Sequence, residues 1–471
     1  MNQLSPEAKL LYAYFSGLAA IPHGSGNTKG VSDHCVSFAK SLGLTVIQDV
    51  HNNVIIKKPA TPGYEDHPTV ILQGHLDMVC EKDPDVDFDF TTDSLKLRLE
   101  GDFLSAEGTT LGGDNGIAIA MIMAILADNS IPHPAIEALF TTDEETGMDG
   151  AMGLDPAALT GRLLLNLDSE AEGIFTVSCA GGARCDLSLP LEASPAKGMQ
   201  AYQITLSGLA GGHSGVEIHQ GRMNAARAIC RLIGTLPGSP RIVSLSGGNK
   251  DNAIPSHATA LILAEQDPAA FTDFFTHENK LPTDPGLTIS VTPAAPVNTA
   301  LSVEDTKTLC SMITSLPDGV VAMSRDIPGL VETSLNLGIL RVDEKGLSGV
   351  ISVRSSVTSE KLALIDRVSA IAASFGASVE SRNHYPAWEY KKDSILRDTM
   401  ARVYTELTGN APVIEAIHAG LECGLFAEKL PGLDAVSIGP EMYDIHTPRE
   451  RLSISSSVRT FEFVKAILAA L

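Results

Sequence analysis

Five short segments carry residue types that together could hold metal. In QGHLDMV, His75 and Asp77 lie two residues apart on a predicted strand, so their side chains share a face and one could ligate while the other orients. A carboxylate accepting the second imidazole N–H fixes the tautomer and strengthens the ligand. Alone, the same histidine reads as a satisfied residue near a strand end. In LGGDNGIAIA, Asp114 sits in a glycine-rich turn just before an apolar helix. An aspartate there is also a common N-cap, although the glycines let the backbone approach a ligand closely. The strand IEALFTT runs into DEETGMDG, which groups Asp143, Glu144 and Glu145. One glutamate could bind metal while its uncoordinated neighbour moves a proton between attacking water and leaving group; alone, the run reads as a solvated acidic turn. Asp168 in NLDSEAEG and His446 in SIGPEMYDIHTPRE follow two further apolar strands. Carboxylates mixed with imidazoles suit zinc, cobalt or manganese.

Two ions fit this set better than one. Asp114, Glu145 and Asp168 with a bridging hydroxide balance the charge of two divalent cations, whereas bare carboxylates brought together would raise one another's pKa. The argument requires the segments to converge.

The elements that would bring them together alternate in type. Helices are expected near Ser5 to Ala20 and Val31 to Leu42, and strands over Leu44 to Asp49, Asn53 to Lys58, Thr69 to Val79, Ile136 to Thr142 and Arg162 to Asp168. An apolar helix from Gly116 to Ala127 interrupts them. Strands separated by helices imply an α/β architecture, a mainly parallel sheet flanked by helices on both faces, with ligands at the strands' carboxyl ends. Past Asp186 the texture becomes α+β, with alternating strands such as Ala201 to Gly208 and Gly349 to Ser356 and a helix over Asn224 to Ile233. The helix–strand alternation returns after about His384, with a helix near Ser394 to Leu407, strands near Val413 and Ala435 and a closing helix from Ser457. The expected organisation is one discontinuous domain, residues 1–186 and 384–471, interrupted by an inserted domain, residues 187–383.

Composition excludes several classes. The 471 residues hold 34 Lys and Arg against 57 Asp and Glu, a formal charge of −23, so no general cationic field exists to attract nucleic acid. With 44% apolar and 19% charged residues the chain is expected to be globular. Its longest apolar run, Ile117 to Ala127, is far short of the roughly 20 residues that cross a bilayer. The N-terminus reads as an amphipathic helix and not as an export signal. Seven cysteines, odd in number and singly scattered, point to a reducing cytoplasm, with Cys179 and Cys185 serving packing.

The segments jointly resemble the co-catalytic zinc aminoacylase and carboxypeptidase clan, and most closely the bacterial aminoacyl-histidine dipeptidases, also called Xaa-His or cytosol nonspecific dipeptidases. The blocks LQGHLDMV, GTTLGGDNGI, EETGMDGAMGL, GGHSGVEIH, NAIP, VETSLNLG and HAGLECGLF carry the likeness over nearly the whole chain. The resemblance implies a zinc-peptidase catalytic domain with an inserted lid or dimerisation-type domain and two Zn²⁺ per subunit, with Co²⁺ or Mn²⁺ as alternatives. His75 and Asp168 would hold one ion, Glu145 and His446 the other, and Asp114 would bridge them. Glu144 would be the general acid and base, with Asp77 orienting His75. His213 from the lid would stabilise the oxyanion. Asn252 and Arg354 would contact the substrate, the arginine meeting the free carboxylate of a dipeptide; Arg354 read alone could form a surface ion pair. His219 and Glu422 belong to the pattern without an assigned role. The implied partners are a dipeptide and, as an open choice, a second copy of the chain.

The implied reaction is hydrolysis of unmodified dipeptides. A related aminoacylase, deacetylase or tripeptidase would use the same chemistry on another amide. A catalytically silent amino-acid-binding protein would have no use for Glu144 beside five ligands. A serine hydrolase is disfavoured because Ser214 is followed at once by Gly215, which breaks the G-x-S-x-G spacing.

Overall fold

The computed structural model describes residues 4–279, 281–343 and 345–471, which divide into two compact units. The first comprises the chain up to Ser178 with Tyr390–Ala416 and Leu425–Leu471; the second comprises Cys179–Glu389 and Ile417–Gly424.

The first unit is built on an eight-stranded sheet in the order Thr45–Gln48, Val54–Lys58, Ile136–Thr141, Val70–His75, Leu163–Asn166, Asp434–Ser437, Ile174–Cys179 and Val413–Ile417. The four central strands, from Ile136–Thr141 to Asp434–Ser437, run parallel, and antiparallel strands flank them. Every residue of Val70–His75 and Ile136–Thr141 is buried, which is why these strands read as continuous apolar runs without alternation. The helix Gly113–Ala127 packs on Val70–His75 and is buried all round from Ile117 to Leu126, so its uniform apolarity marks an interior helix. Against it lies the helix Pro6–Ala19, begun by Pro6 and by Ser5, whose hydroxyl accepts the Ala8 N–H at 3.1 Å. Among the described residues no helix is long and apolar enough to cross a membrane.

A small four-stranded sheet completes this unit, with Met442–Tyr443 paired to Arg451–Ser453 and the latter to Phe103–Ala106. His446 lies on the connection between the first two, where Asp444 and His446 both take left-handed backbone conformations.

The second unit is built on a nine-stranded sheet whose strand pairings among the described residues are all antiparallel, covered by helices that include Ala225–Thr235, Val303–Ser315 and Thr358–Ser374. The expected boundaries near Asp186 and Asn383 fall within two strands of this unit, Gly181–Leu189 and Ser378–Tyr385. Gly181–Leu189 pairs on one side with Gly346–Ser355 and on the other with Ser378–Tyr385, so both strands belong to the second sheet. The return of Ile417–Gly424 to this unit had no counterpart in the sequence reading. It is tied there by the His418 Nε2 bond to Ser334 Oγ at 2.7 Å. Cys179 and Cys185 are buried and unpaired, while Cys80 is exposed.

Candidate metal centre

Parallel pairing delivers the candidate ligands to one edge. Val70–His75 ends on His75, Ile136–Thr141 leads to Glu144 and Glu145, Leu163–Asn166 leads to Asp168, and Asp434–Ser437 leads toward the hairpin of His446. All are carboxyl ends of adjacent parallel strands, where an open α/β sheet places its ligands.

The donors meet there in two groups that share one residue. His75 Nε2 lies 3.1 Å from Asp114 Oδ1 and 3.3 Å from Asp168 Oδ1. His446 Nε2 lies 3.3 Å from Asp114 Oδ2 and 3.1 Å from Glu145 Oε1. Each oxygen of Asp114 therefore faces a different imidazole. In His75, Asp114 and Asp168, and again in Asp114, Glu145 and His446, one donor atom per residue lies within 4.8 Å of the others. Such oxygen and imidazole sets match divalent ions of the zinc, cobalt and manganese type. Glu144 forms a third grouping with His75 and Glu145, so its carboxylate reaches the same space.

Asp114 does not cap the helix. Its backbone, with Asn115, departs from helical angles inside Gly113–Ala127, and the orphan N–H groups are collected instead by Glu450. That carboxylate accepts from Leu111, Gly112, Gly113 and Asp114 at 2.7, 3.1, 2.8 and 3.3 Å. The Asp114 side chain is thereby left for the imidazoles. Asn115 locks the turn to the strand, its Oδ1 accepting the His75 N–H at 3.2 Å and its Nδ2 donating to Leu167 O at 2.8 Å. Gly74 is required for this approach, because a Cβ there would come within 2.4 Å of Asn115 Oδ1.

Asp77 takes a different position from the expected one. The strand ends at His75, after which Met78 bridges to Gly24, so Asp77 lies beyond the pleat and not on its face. His75 Nδ1 lies nearer the backbone carbonyl of Asp77, at 3.0 Å, than its carboxylate, at 3.5 Å. The carboxylate accepts the Glu144 and Glu145 N–H groups at 3.1 and 3.3 Å and the Ser25 hydroxyl at 2.8 Å. Asp77 thus orients the imidazole from the backbone and the glutamate turn from the side chain.

The electrostatics are those of a cation site. Burial alone would lower the His75 pKa, but the Asp168 charge and bonds to Asp114, Asp168 and Asp77 raise it well above its usual value. Bonds to Asp114 and Glu145 raise His446 to about 10. Burial raises Asp168, whereas His446 and His75 outweigh burial at Asp114 and lower it. Glu170, which the sequence reading passed over, is raised to about 7 by burial and then by the charge of Asp114. Glu450 was also missed. Only its place in TPRERL marked it, because its partners are backbone groups that leave no spacing signal.

The second unit brings His213, Asn252 and Arg354 together. Gly212–His213 pairs with Ala253–Ile254, and the Ser214 N–H donates to Asn252 O at 2.9 Å. His213 Nδ1 accepts the Gly215 and Val216 N–H groups at 3.1 and 3.2 Å. That assigns the ring proton to Nε2. Burial and then the Arg354 charge lower the His213 pKa, keeping the ring neutral. The expected alternative of a surface ion pair for Arg354 does not hold, since it is only 6% exposed and its Nη1 donates to Tyr385 Oη at 2.9 Å. Its Nε is buried without a protein partner. His219 is exposed and Glu422 buried.

The family model of peptidase family M20/M25/M40 matches residues 71–470. Cytosol non-specific dipeptidase of Escherichia coli (strain K12) is 36% identical over 467 residues, covering 97% of this chain and 96% of that protein. The crystal structure of aminoacylhistidine dipeptidase from Vibrio alginolyticus is similar with a TM-score of 0.95 at 36% identity, covering 100% of this chain and 98% of that one. At 18% identity, aminopeptidase PepT from Bacillus cereus ATCC 10987 shares the fold, with a TM-score of 0.57 over 98% of both chains.

Proposed function

The chain belongs to peptidase family M20/M25/M40, and from that premise we propose that it is a dipeptidase, cleaving unmodified dipeptides, Xaa-His among them, at two zinc ions. His75 and Asp168 would hold one ion, Glu145 and His446 the other, with Asp114 between them. The observation that carries this reading is the division of the Asp114 oxygens between the two imidazoles, at 3.1 and 3.3 Å. When bound, two such cations polarise the scissile carbonyl and lower the pKa of a water.

The chain's own residues then move the protons and fix the substrate. Glu144 takes a proton from the attacking water and returns it to the departing amine nitrogen; with the water's second proton also passed to that nitrogen, amide and water become a carboxylate and an ammonium. Asp77 holds Glu144 and its neighbour through their backbone N–H groups. His213, neutral and protonated on Nε2, has the donor that a developing oxyanion requires. Arg354 supplies a buried guanidinium for the substrate carboxylate, with Asn252 as a further contact. The second unit would serve as a lid or dimerisation-type domain. The 36% identity to a dipeptidase over nearly the full length supports the substrate class, and that relative's name places it in the cytosol, which is the proposed location here.

The test is an assay of the full chain after chelation and reloading with Zn²⁺, Mn²⁺ or Co²⁺. Dipeptides should be cleaved at least about tenfold more efficiently than tripeptides or N-acyl amino acids, a preference of about 1.4 kcal/mol at the transition state. Failure of every metal to restore cleavage contradicts the reaction, and preference for an N-acyl substrate or tripeptide makes it the aminoacylase or tripeptidase instead.

A further inference from the structure

The first unit contains a cleft of about 190 Å³ apart from the candidate metal ligands. Phe175, Tyr404, Leu407, Ile438, Val458 and Phe463 are among the residues that line it. Phe175 and Phe463 stack at 5.6 Å with an interplanar angle of 16°, and Tyr404 meets both rings edge-on. An apolar space somewhat larger than the roughly 150 Å³ cavity that accepts benzene has room for one aromatic ring, which would join this array.

The lining is not wholly apolar. Glu172 and Arg459 stand among these side chains, joined by bonds of 2.7 and 2.6 Å from Nε and Nη2 to the two carboxylate oxygens. The Ser456 hydroxyl also donates to Glu172, at 2.7 Å. Arg459 is 56% exposed along its side chain and Glu172 19%. Glu462 is a second acid of the lining and pairs with Lys465 at 2.6 Å. An acid and a guanidinium side by side complement an ammonium and a carboxylate on one carbon, and an aromatic pocket beside them complements the side chain of the same molecule.

The cleft also touches the backbone that carries a candidate ligand. The Ile438 N–H donates to Asn166 O at 3.0 Å, and Ile438 O accepts the Ser169 N–H at 3.3 Å. Gly439 fits so closely that a Cβ there would lie 1.5 Å from Ser169 O. Asp168 sits between these two anchor points, so pressure on Ile438 and Gly439 is passed directly to its segment.

We propose that this cleft binds a free aromatic α-amino acid, with the ring among Phe175, Tyr404 and Phe463, the ammonium on Glu172 and the carboxylate on Arg459, and that occupancy is coupled to metal binding at Asp168. That such a ligand arises as a product of the chain's own reaction rests on the proposed function; the binding does not.

The experiment is calorimetric titration of the zinc-loaded full chain with L-phenylalanine and, separately, toluene. Leu407→Trp, at an exposed position of the lining, should weaken both ligands at least about tenfold. Arg459→Gln should weaken phenylalanine several-fold and leave toluene unchanged. Phenylalanine affinity should differ between stripped and loaded protein, and zinc affinity should change by the same factor when phenylalanine is present. Absence of phenylalanine binding, or binding unaffected by either substitution, overturns the site. Equal affinity in stripped and loaded protein overturns the coupling. None of these readouts requires turnover, so they stand or fall separately from dipeptide hydrolysis.

Discussion

The two units gather their polar residues in different ways. In the first, adjacent parallel strands all point their carboxyl ends the same way, so residues as far apart as His75, Glu145 and Asp168 arrive at one edge by topology alone. In the second, an antiparallel sheet has no common end. His213 and Asn252 are brought together by pairing of short strands and by backbone bonds around the Gly212–His213 turn, while Arg354 stands on the long strand Gly346–Ser355. A parallel sheet makes a multidentate site available from strand order, whereas an antiparallel one must hold each polar group individually. The first should therefore fail as a unit and the second residue by residue.

The largest expected effect separates chemistry from assembly within the first unit. Glu144→Gln should lower kcat by about a thousandfold, since general acid–base catalysis contributes typically 10²–10⁴, while metal content measured by atomic emission stays at the wild-type value. Loss of metal together with activity would make Glu144 a ligand, the role its grouping with His75 and Glu145 also permits. Next in size, His213→Ala should cost about a hundredfold in kcat, the usual loss for one oxyanion donor. Metal content and KM should change little. Arg354→Ala should instead raise KM by about tenfold or more with a smaller change in kcat. If both substitutions altered the same parameter equally, the residue-by-residue picture of the second unit would be lost.

Glu450→Gln probes the assembly of the first unit from outside its ligand set. It removes the charge that receives four backbone N–H groups, and should lower metal affinity by about ten- to a hundredfold, as for other supports of metal ligands. Competition with a chelator measures this. The smallest effect is on pH dependence. Bonds to Asp114 and Glu145 raise His446 to about 10 in the folded chain, so protonation of this group favours the folded form. That contribution is fully present below the ordinary histidine pKa near 6.5 and is lost as pH rises through about 10. Chelated wild-type protein should therefore lose more thermal stability between pH 7 and pH 10 than chelated His446→Gln, a difference reduced by the half-exposed position of the ring. Parallel melting curves for the two proteins would show no basis for this linkage.

Much of the first unit was legible in the sequence because the signals were local. Uninterrupted apolar runs ending in Asp, Glu or His identify parallel strands and their carboxyl ends, and these runs appear in the structure as buried strands. The position of Asp77 was not legible, since pleat alternation was extended two residues past the point where the strand stops. Nor was the role of Glu450, whose four partners are backbone groups more than three hundred residues away in sequence. The boundaries of the second unit were placed too far inward because Gly181–Leu189 and Ser378–Tyr385 carry no composition change to separate them from the first. The return of Ile417–Gly424 depends on tertiary packing around His418 and Ser334, which no periodicity reports.

The shared position of Asp114 is tested most directly by counting metal. Purified full-length protein, stripped and then dialysed against Zn²⁺, should carry two ions per chain, and Asp114→Ala should lose both, with far-ultraviolet circular dichroism unchanged. A wild-type stoichiometry of one or none, or an Asp114→Ala protein that keeps two ions, would contradict the paired site.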